Sequence, residues 1–341
     1  FASKKPFEFR CVCSDVSIGR RSNEDAIIQT VSDAPFPVTS EPTEIAKFLR
    51  QKGDRVIFST YQSSPLIVTA QRQRNVPKFD LVVADEAHRC ANVGKKDSAF
   101  TTVLDEKKIK AKNRLFATAT PRTFSQGIKT KAENMNVEVV DMDDATKFGV
   151  PFHTLSFSQA IRHKPALLTD YQVVIIGVDD EMISNSIRNR EFLTTRSGNF
   201  VTDAETLASQ VGLLKAMRDY DLKRIISFHS YVKSADIFSS DLKFATEVMH
   251  KRNLPKFPIS ADYVSGKMST YERGEKLKKL GQSGSKQISL LSNARCLSEG
   301  VDVPSLDGVA FIDPKSSQVD IIQAVGRAIR LSKNKKVGTI I

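Results

Sequence analysis

The stretch FDLVVADEAHRCAN, Phe79 to Asn92, decides how the rest of this chain is read. Its apolar run, Leu81 to Ala84, has the length of a buried strand and hands Asp85 and Glu86 to the strand end, with His88 following in a loop. Carboxylates at the C-terminal edge of a parallel strand stand where open α/β sheets gather their ligands. There Asp85 can hold Mg²⁺, directly or through water, and Glu86 can polarise a water for in-line attack on a γ-phosphate. Adjacent acids at a strand end also serve as helix N-caps, so Asp85 to His88 alone leaves both readings open. A nucleotide hydrolase needs, in addition, a Gly-rich loop ahead of this strand to cradle the phosphates.

Outward from this strand, short apolar runs alternate with amphipathic helical patterns, the signature of βαβ units and an α/β fold with mainly parallel sheets. Strands are expected at Glu8–Cys13, Arg55–Thr60, Leu81–Ala84, Asn113–Ala117, Val137–Asp141, Tyr171–Gly177, Arg224–His229, Ser260–Val264, Gln287–Leu291 and Gly308–Ile312. Helices are expected at Thr43–Gln51, Ala204–Tyr220 and Ser269–Leu280, among others. With 341 residues the chain exceeds the size at which a single core stops growing, and its units fall into two groups. The seam lies near Phe157 to Thr169, dividing residues 1–165 from residues 166–341. The basic, polar segment Arg188–Asn199 reads as a mobile loop or a contact surface.

Composition narrows the class of partner. Lys and Arg total 51 against 39 Asp and Glu, a formal charge of +12 that suits a phosphate-bearing partner such as nucleic acid. No apolar stretch has the length to span a bilayer and no signal-peptide pattern opens the chain, so a soluble, cytoplasmic protein with no membrane partner is expected. Four cysteines do not make a disulfide framework, and the Cys11/Cys13 pair lacks a second pair with which to build a metal site; all read as structural thiols. Phe1 is not a methionine, FEFRCVCSDVS (Phe7 to Ser17) already reads as a core strand, and KKVGTII (Lys335 to Ile341) breaks off in another. Both ends are therefore expected to be cuts within a longer chain.

Three further stretches carry chemistry. LFATATPR, Leu115 to Arg122, is a strand ending in two hydroxyls, Thr118 and Thr120, that can bond to neighbouring carboxylates or to backbone. LLSNARCLSEGVDVPSLDGVAFID, Leu290 to Asp313, is a strand, a polar loop and another strand. Its Asn293 and Arg295 leave the strand end, Glu299 and Gly300 make a turn, and Asp302 presents a carboxylate; such a loop can carry a nucleotide contact and a phosphodiester contact together. QAVGRAIR places Gln323, Arg327 and Arg330 at i, i+4 and i+7 of one helix face, with Gly326 allowing close backbone approach. Fork-shaped, permanently charged guanidinium groups in this pattern suit a triphosphate, although a solvated basic stripe has the same spacing.

Taken in order, this set resembles the superfamily 2 helicases and translocases of the DEAH type, over nearly the whole chain. The stretches that carry the resemblance are VIFSTYQS (Val56–Ser63), DEAH, TAT, IISFHS (Ile225–Ser230), VSGKMSTYER (Val264–Arg273), the Asn293–Pro304 loop and the Gln323–Arg330 helix. The flavour is similar to bacterial helicases and to the translocase module of type ISP restriction-modification enzymes. The resemblance implies two RecA-like domains with ATP and Mg²⁺ between them and a nucleic-acid strand across their tops. It assigns Asp85 and Glu86 to Mg²⁺ and water, and His88 to coupling the nucleotide site to the facing domain. Thr118 and Thr120 become coupling residues, Arg327 and Arg330 γ-phosphate contacts, and Gln323, Gly300 and Asp302 nucleotide contacts. Thr60, Gln62 and Ser63 become candidates for nucleic-acid backbone contacts, with Ser230, Ser265, Gly266, Asn293 and Arg295 as counterparts in the second domain. Contacts of that kind read phosphate and sugar rather than base.

The pattern G-x-x-x-x-G-K-[ST] occurs nowhere in the chain; SGK at Ser265–Lys267 and VGKK at Val93–Lys96 both fail it. The first domain is thus expected to lack its opening βαβ portion, leaving the chain inactive as an ATPase while salt-sensitive DNA binding remains. Few aromatics and no Trp are available as stacking platforms, so duplex tracking by backbone contacts is favoured over single-strand binding; the expected partner is nucleic acid, with duplex DNA favoured over RNA. Nuclease or methyltransferase domains are the expected companions in a parent chain. An RNA helicase of the same fold and a non-catalytic nucleic-acid-binding scaffold stay open as alternatives.

Overall fold

A computed structural model describes residues 7–13, 37–94, 98–177, 192–194, 201–248, 254–282, 286–294, 296, 306–315, 317–332 and 335–341. The chain divides into two compact units, Phe1–His153 and Thr154–Ile341.

In the first unit, β1 (Glu8–Val12) lies between β2 (Val38–Thr39) and β3 (Arg55–Ser59), parallel to both. Helix α1 (Pro42–Arg50) starts with proline in its first turn, where the missing N–H has no intrahelical partner to lose. It buries Ile45, Ala46 and Leu49 against Val12, Ile67 and Ala70, the last two supplied by α2 (Ser64–Gln71). Strand β4 (Phe79–Ala84) pairs in parallel with β6 (Ala111–Phe116), aligning Ala84 with Phe116. A short antiparallel pair, β5 (Asn92–Val93) and β7 (Val139–Val140), and helices α3 (Gln126–Asn134) and α4 (Ala145–Phe148) complete the unit.

Two expectations change here. The run Leu81–Ala84 is buried on one face only: Ala84 is 4% exposed, whereas Leu81 and Val83 are 54% and 56% exposed. Strand alternation sends Val82 and Ala84 into the cluster with Val68, Ala87, Cys90, Val103 and Ile109 and turns their neighbours the other way. The strand expected over Val137–Asp141 shortens to Val139–Val140: at its start the Val137 N–H is taken by Ala132 C=O at 2.8 Å, and beyond its end the Asp141 carboxylate is buried. It accepts the N–H groups of Phe124 and Asp143 and pairs with Lys129 at 2.6 Å.

The second unit is built on a six-stranded sheet in the order β12-β13-β11-β14-β15-β8, each neighbouring pair parallel. Its strands are β8 (Asp170–Val173), β11 (Arg224–His229), β12 (Ile259–Ser265), β13 (Ile288–Ala294), β14 (Gly308–Phe311) and β15 (Val337–Ile340). Every residue of β13 is buried, which explains its near-continuous apolar sequence: a central parallel strand is covered on both faces. Helices α6 (Ala204–Asp219), α7 (Val232–Ser240), α8 (Leu242–Val248), α9 (Thr270–Gln282) and α10 (Gln318–Ala328) follow α5 (Phe157–Arg162). A reciprocal cap starts α9: Glu272 N–H donates to Ser269 Oγ, and Ser269 N–H to Glu272 Oε2. The main core joins Leu207, Leu214, Met217, Ile225, Phe238 and Leu290.

The segment Arg188–Asn199 is not wholly loop. Phe192–Thr194 forms β9, antiparallel to β10 (Val201–Asp203), in keeping with the strand preference of Phe and Thr; the rest of the segment lies outside the described residues. Among the described residues no helix is long and apolar enough to cross a membrane.

Glycines mark where the backbone needs room. A Cβ at Gly338 would stand 2.3 Å from the carbonyl oxygen of Ala328, so α10 packs directly on β15 there. Gly326 does not have the close approach expected of it, since no described atom lies within 4 Å of a Cβ built on it. Gly338→Ala is therefore expected to lower the free energy of unfolding by about 2 kcal/mol or more, and Gly326→Ala to raise it by about 0.5–1 kcal/mol. Urea unfolding of both variants checks the contrast.

Candidate nucleotide and nucleic-acid site

The parallel ladder of β4 and β6 ends in a clamp. Ala117 N–H donates to Ala84 C=O at 2.9 Å, and Ala87 N–H returns to Ala117 C=O at 2.9 Å. Asp85 and Glu86 form the turn between these bonds. Glu86 has φ 50° and ψ 45°, the left-handed region, which costs a residue with a Cβ about 1–2 kcal/mol. Three hydrogen bonds hold it there: Glu86 N–H to Asp85 Oδ1 at 2.9 Å, the Tyr61 hydroxyl to Asp85 C=O at 2.7 Å, and Arg89 N–H to Glu86 C=O at 3.0 Å. Each is worth about 0.5–1.5 kcal/mol net, enough together to outweigh the strain. The turn leaves Asp85 exposed at the strand end and half-buries Glu86.

His88 links this turn to the TAT stretch. The residue is 6% exposed, and its Nδ1 lies 2.9 Å from Thr118 Oγ1, 3.4 Å from Thr120 Oγ1 and 3.3 Å from Glu86 Oε2. Thr118 Oγ1 also accepts the N–H of Thr120 at 3.1 Å. Burial lowers the imidazole pKa from its ordinary value, and the charges of Arg89 and Arg122 lower it further, so His88 is neutral at pH 7. A neutral ring joins the two motifs without placing a positive charge beside Glu86. These partners of His88 all lie in the first unit.

The nucleic-acid candidates sort by burial. Thr60 and Gln62 are exposed at the end of β3. Ser63, which the sequence groups with them, is fully buried, its hydroxyl 2.9 Å from that of Thr60. In the second unit Gly266 is exposed and Ser230 half-buried, but Ser265 and Asn293 are 3% and 1% exposed. The Asn293 side chain turns inward, where Oδ1 accepts from Cys296 N–H at 3.3 Å and from its thiol at 3.1 Å. Ser63, Ser265 and Asn293 therefore leave the set of exposed side chains. Ser230 N–H is anchored on Asp313 Oδ2 at 2.5 Å. Arg295, Gly300 and Asp302 lie outside the described residues.

The basic helix also differs from its sequence pattern. Arg327, at 5% exposure, is not part of a solvated stripe, and Gln323 is half-buried. Arg330 is not on the helix at all: α10 ends at Ala328, and Arg330 forms an isolated antiparallel bridge with Leu168. The helix stops there because other groups take its last carbonyls. Thr169 bonds Ile329 C=O through both its N–H and its hydroxyl, and Lys335 Nζ donates to the carbonyls of Ala328 and Arg330.

Sequence reasoning passed over three buried groups at the strand ends of the second unit. His229 Nε2 lies 3.0 Å from Ser227 Oγ, which donates to Ser292 Oγ at 3.0 Å. Tyr61 was missed in the first unit; it sits inside a quoted motif, but nothing local signals its bond to Asp85.

Among the described residues no group of three or more His, Cys, Asp or Glu side chains could hold a metal ion. That is compatible with Mg²⁺ arriving on a nucleotide, which binds through one or two carboxylates and phosphate oxygens, and the exposed Asp85 is a hard oxygen donor of the right kind.

Two family descriptions match the chain. Residues 11–123 match the type III restriction enzyme res subunit, and residues 210–332 match the helicase conserved C-terminal domain. The two matches fall in order, one in each unit, so that along most of its length the chain is similar to the two-domain core of superfamily 2 helicases. Both units are RecA-like lobes, as in helicase structures. In structure it is similar to the ATP-dependent type ISP restriction-modification enzyme LlaBIII bound to DNA, with TM-score 0.72 and 29% identity over 99% of this chain and 24% of that one. It is similar also to a nuclease-deletion mutant of the type ISP enzyme LlaGI in complex with a DNA substrate mimic, with TM-score 0.58 and 26% identity over 100% and 21% of the two chains. A curated relative is "Probable helicase A859L" of African swine fever virus (strain Badajoz 1971 Vero-adapted), 27% identical over 307 residues. The chain spans 30% of that viral protein.

The buried imidazole of the second unit sets a pH dependence. Burial pulls the His229 pKa from 6.5 to about 4, with Asp313 opposing and Lys315 assisting. Since the unfolded chain binds this proton first, stability is undiminished above pH 6.5 and falls as the pH drops toward 4, by about 3 kcal/mol from this group. In urea unfolding between pH 7 and pH 4, His229→Gln is expected to remove about that much of the wild-type slope.

Proposed function

We propose that this chain is the motor core of an ATP-driven DNA translocase, and that within the 341 residues given it binds DNA without turning over ATP. The observation that carries the reading is the left-handed turn holding Asp85 and Glu86 at the end of β4, with His88 tied to Thr118. Similarity to type ISP enzymes whose structures contain DNA supports DNA as the polymer. Nuclease or methyltransferase companions in a parent chain belong to the same proposal.

Each residue then has a task. Asp85 takes Mg²⁺, which when bound neutralises phosphate charge. Glu86 accepts a proton from the water whose oxygen attacks the γ-phosphorus as the bond to the β-bridging oxygen breaks. Thr118, with Thr120 behind it, passes the state of this turn along the His88 link. Arg327 and Arg330 supply charge to the γ-phosphate and Gln323 orients it, with Gly300 and Asp302 contacting the nucleotide. Thr60, Gln62, Ser230, Gly266 and Arg295 meet the nucleic-acid backbone. Ser63, Ser265 and Asn293 offer the polymer no side chain, since theirs are turned inward, and Ser63 N–H is already bonded to Thr60 C=O.

The pattern G-x-x-x-x-G-K-[ST], which supplies the β- and γ-phosphate contacts, is not among these residues. Steady-state turnover of ATP by the chain is thus expected at the level of its Glu86→Gln variant; turnover clearly above it ends this part of the proposal. DNA affinity should fall linearly in log–log dependence on salt, as phosphate contacts release counterions. In a protein that also carries the phosphate loop, duplex DNA is expected to stimulate turnover and Glu86→Gln to reduce it by about 10²–10⁴-fold. Stimulation by RNA alone would replace DNA as the polymer, and no stimulation by any polymer would leave a binding scaffold.

A further inference from the structure

Tyr61 stands between the two exposed residues proposed to meet the nucleic-acid backbone. It opens a single helical turn, Tyr61–Ser63, with Thr60 before it and Gln62 after it both facing solvent. Its own side chain runs the other way. The ring packs with Val68, Ala84, Ala87 and Cys90 and stacks on Phe100, centroids 5.6 Å apart at 29°. At the far end of the ring the hydroxyl donates to the carbonyl of Asp85 at 2.7 Å.

That carbonyl belongs to the peptide joining Asp85 to Glu86. A donor held against it fixes the plane of the peptide, and with it the left-handed φ of 50° that aims the Glu86 side chain. Burial, together with the neighbouring Cys90 and Asp85, pushes the phenol pKa well above its ordinary value, so the hydroxyl keeps its proton throughout the physiological range. The ring is rigid and held by this cluster and by Phe100, so a displacement of the Thr60–Gln62 turn is carried toward the Asp85 carbonyl. A tyrosine kept only for packing needs no bond at this one peptide.

We propose that Tyr61 is a positioning residue that transmits nucleic-acid contact at Thr60 and Gln62 to the Asp85–Glu86 turn through its hydroxyl bond to the Asp85 carbonyl. The inference rests on the proposed function for its two ends, and deepens it by naming the link by which polymer binding sets the geometry of the hydrolytic carboxylate. It lies wholly within the first unit.

The test uses the 341-residue chain, whose lack of turnover does not matter because the readout is backbone exchange. Amide hydrogen exchange is followed by mass spectrometry, with and without saturating short duplex DNA at low salt, for wild type and Tyr61→Phe. Phenylalanine keeps the ring and its stacking and removes only the hydroxyl; thermal unfolding by circular dichroism establishes that both proteins are folded at the temperature used. In wild type, DNA is expected to slow exchange in peptides spanning 57–66 and also in those spanning 81–92. In Tyr61→Phe the protection at 57–66 should persist, with DNA affinity within about twofold of wild type, while protection at 81–92 is lost. Equal protection at 81–92 in both proteins, or none there in wild type when 57–66 is protected, overturns the coupling and leaves the proposed function standing. DNA bound without protection at 57–66 overturns both.

Discussion

Everything at the candidate hydrolytic site depends on how the β4–β6 ladder ends. Parallel strands satisfy their backbone groups evenly until the last pair, and here the final bonds run from Ala117 to Ala84 and back from Ala87 to Ala117. Those two bonds leave Asp85 and Glu86 as a short span between fixed points. A span so short cannot continue as strand, and the left-handed conformation of Glu86 is how the chain crosses it. The strain is local, and the groups that offset it come from three places: the aspartate next door, Tyr61 from the end of β3, and Arg89 from the following turn. A backbone strained at a functional position and held by its surroundings is the usual arrangement where geometry must be kept for a reaction.

The same logic recurs in the second unit with different residues. A sheet buried on both faces has room for polar side chains mainly toward its strand ends, and these must find partners inside the protein. Ser227, His229 and Ser292 satisfy one another, and Asp313 holds Ser230 N–H. Both buried imidazoles, His88 and His229, are driven toward neutrality chiefly by loss of water, and both rest against hydroxyls that can donate or accept. Hydroxyl partners cost little when the ring changes tautomer, whereas a buried unpaired cation would be expensive. The two units thus solve one problem, a buried imidazole near a strand end, by the same chemical means.

Much of this was legible in the residues themselves. The alternation of apolar runs and amphipathic helices placed the strands within a residue or two in most cases, and Arg224–His229 to the residue. Asp85, Glu86, His88 and Thr118 were picked out by residue type and order, and the structure brings His88, Glu86, Thr118 and Thr120 within hydrogen-bonding or ion-pair distance. Where the pattern misled, the cause was tertiary. Arg330 continues the helical spacing of Gln323 and Arg327, yet Thr169, remote in sequence, and Lys335, beyond the helix end, take the terminal carbonyls and end the helix before it. Ser63, Ser265 and Asn293 have the polarity of surface residues, and only packing shows that they point inward.

What the sequence determined by itself was the ordered set of strand ends and the chemistry carried on them, because strand periodicity and residue type are local properties. What only the tertiary structure decided was direction: which hydroxyl faces which imidazole, which guanidinium is buried, and that the Tyr61 hydroxyl meets the Asp85 carbonyl. Those depend on pairing register and on contacts between residues far apart in the chain, and a one-residue change of register would turn every side chain of the shifted strand to its other face while leaving the motifs intact.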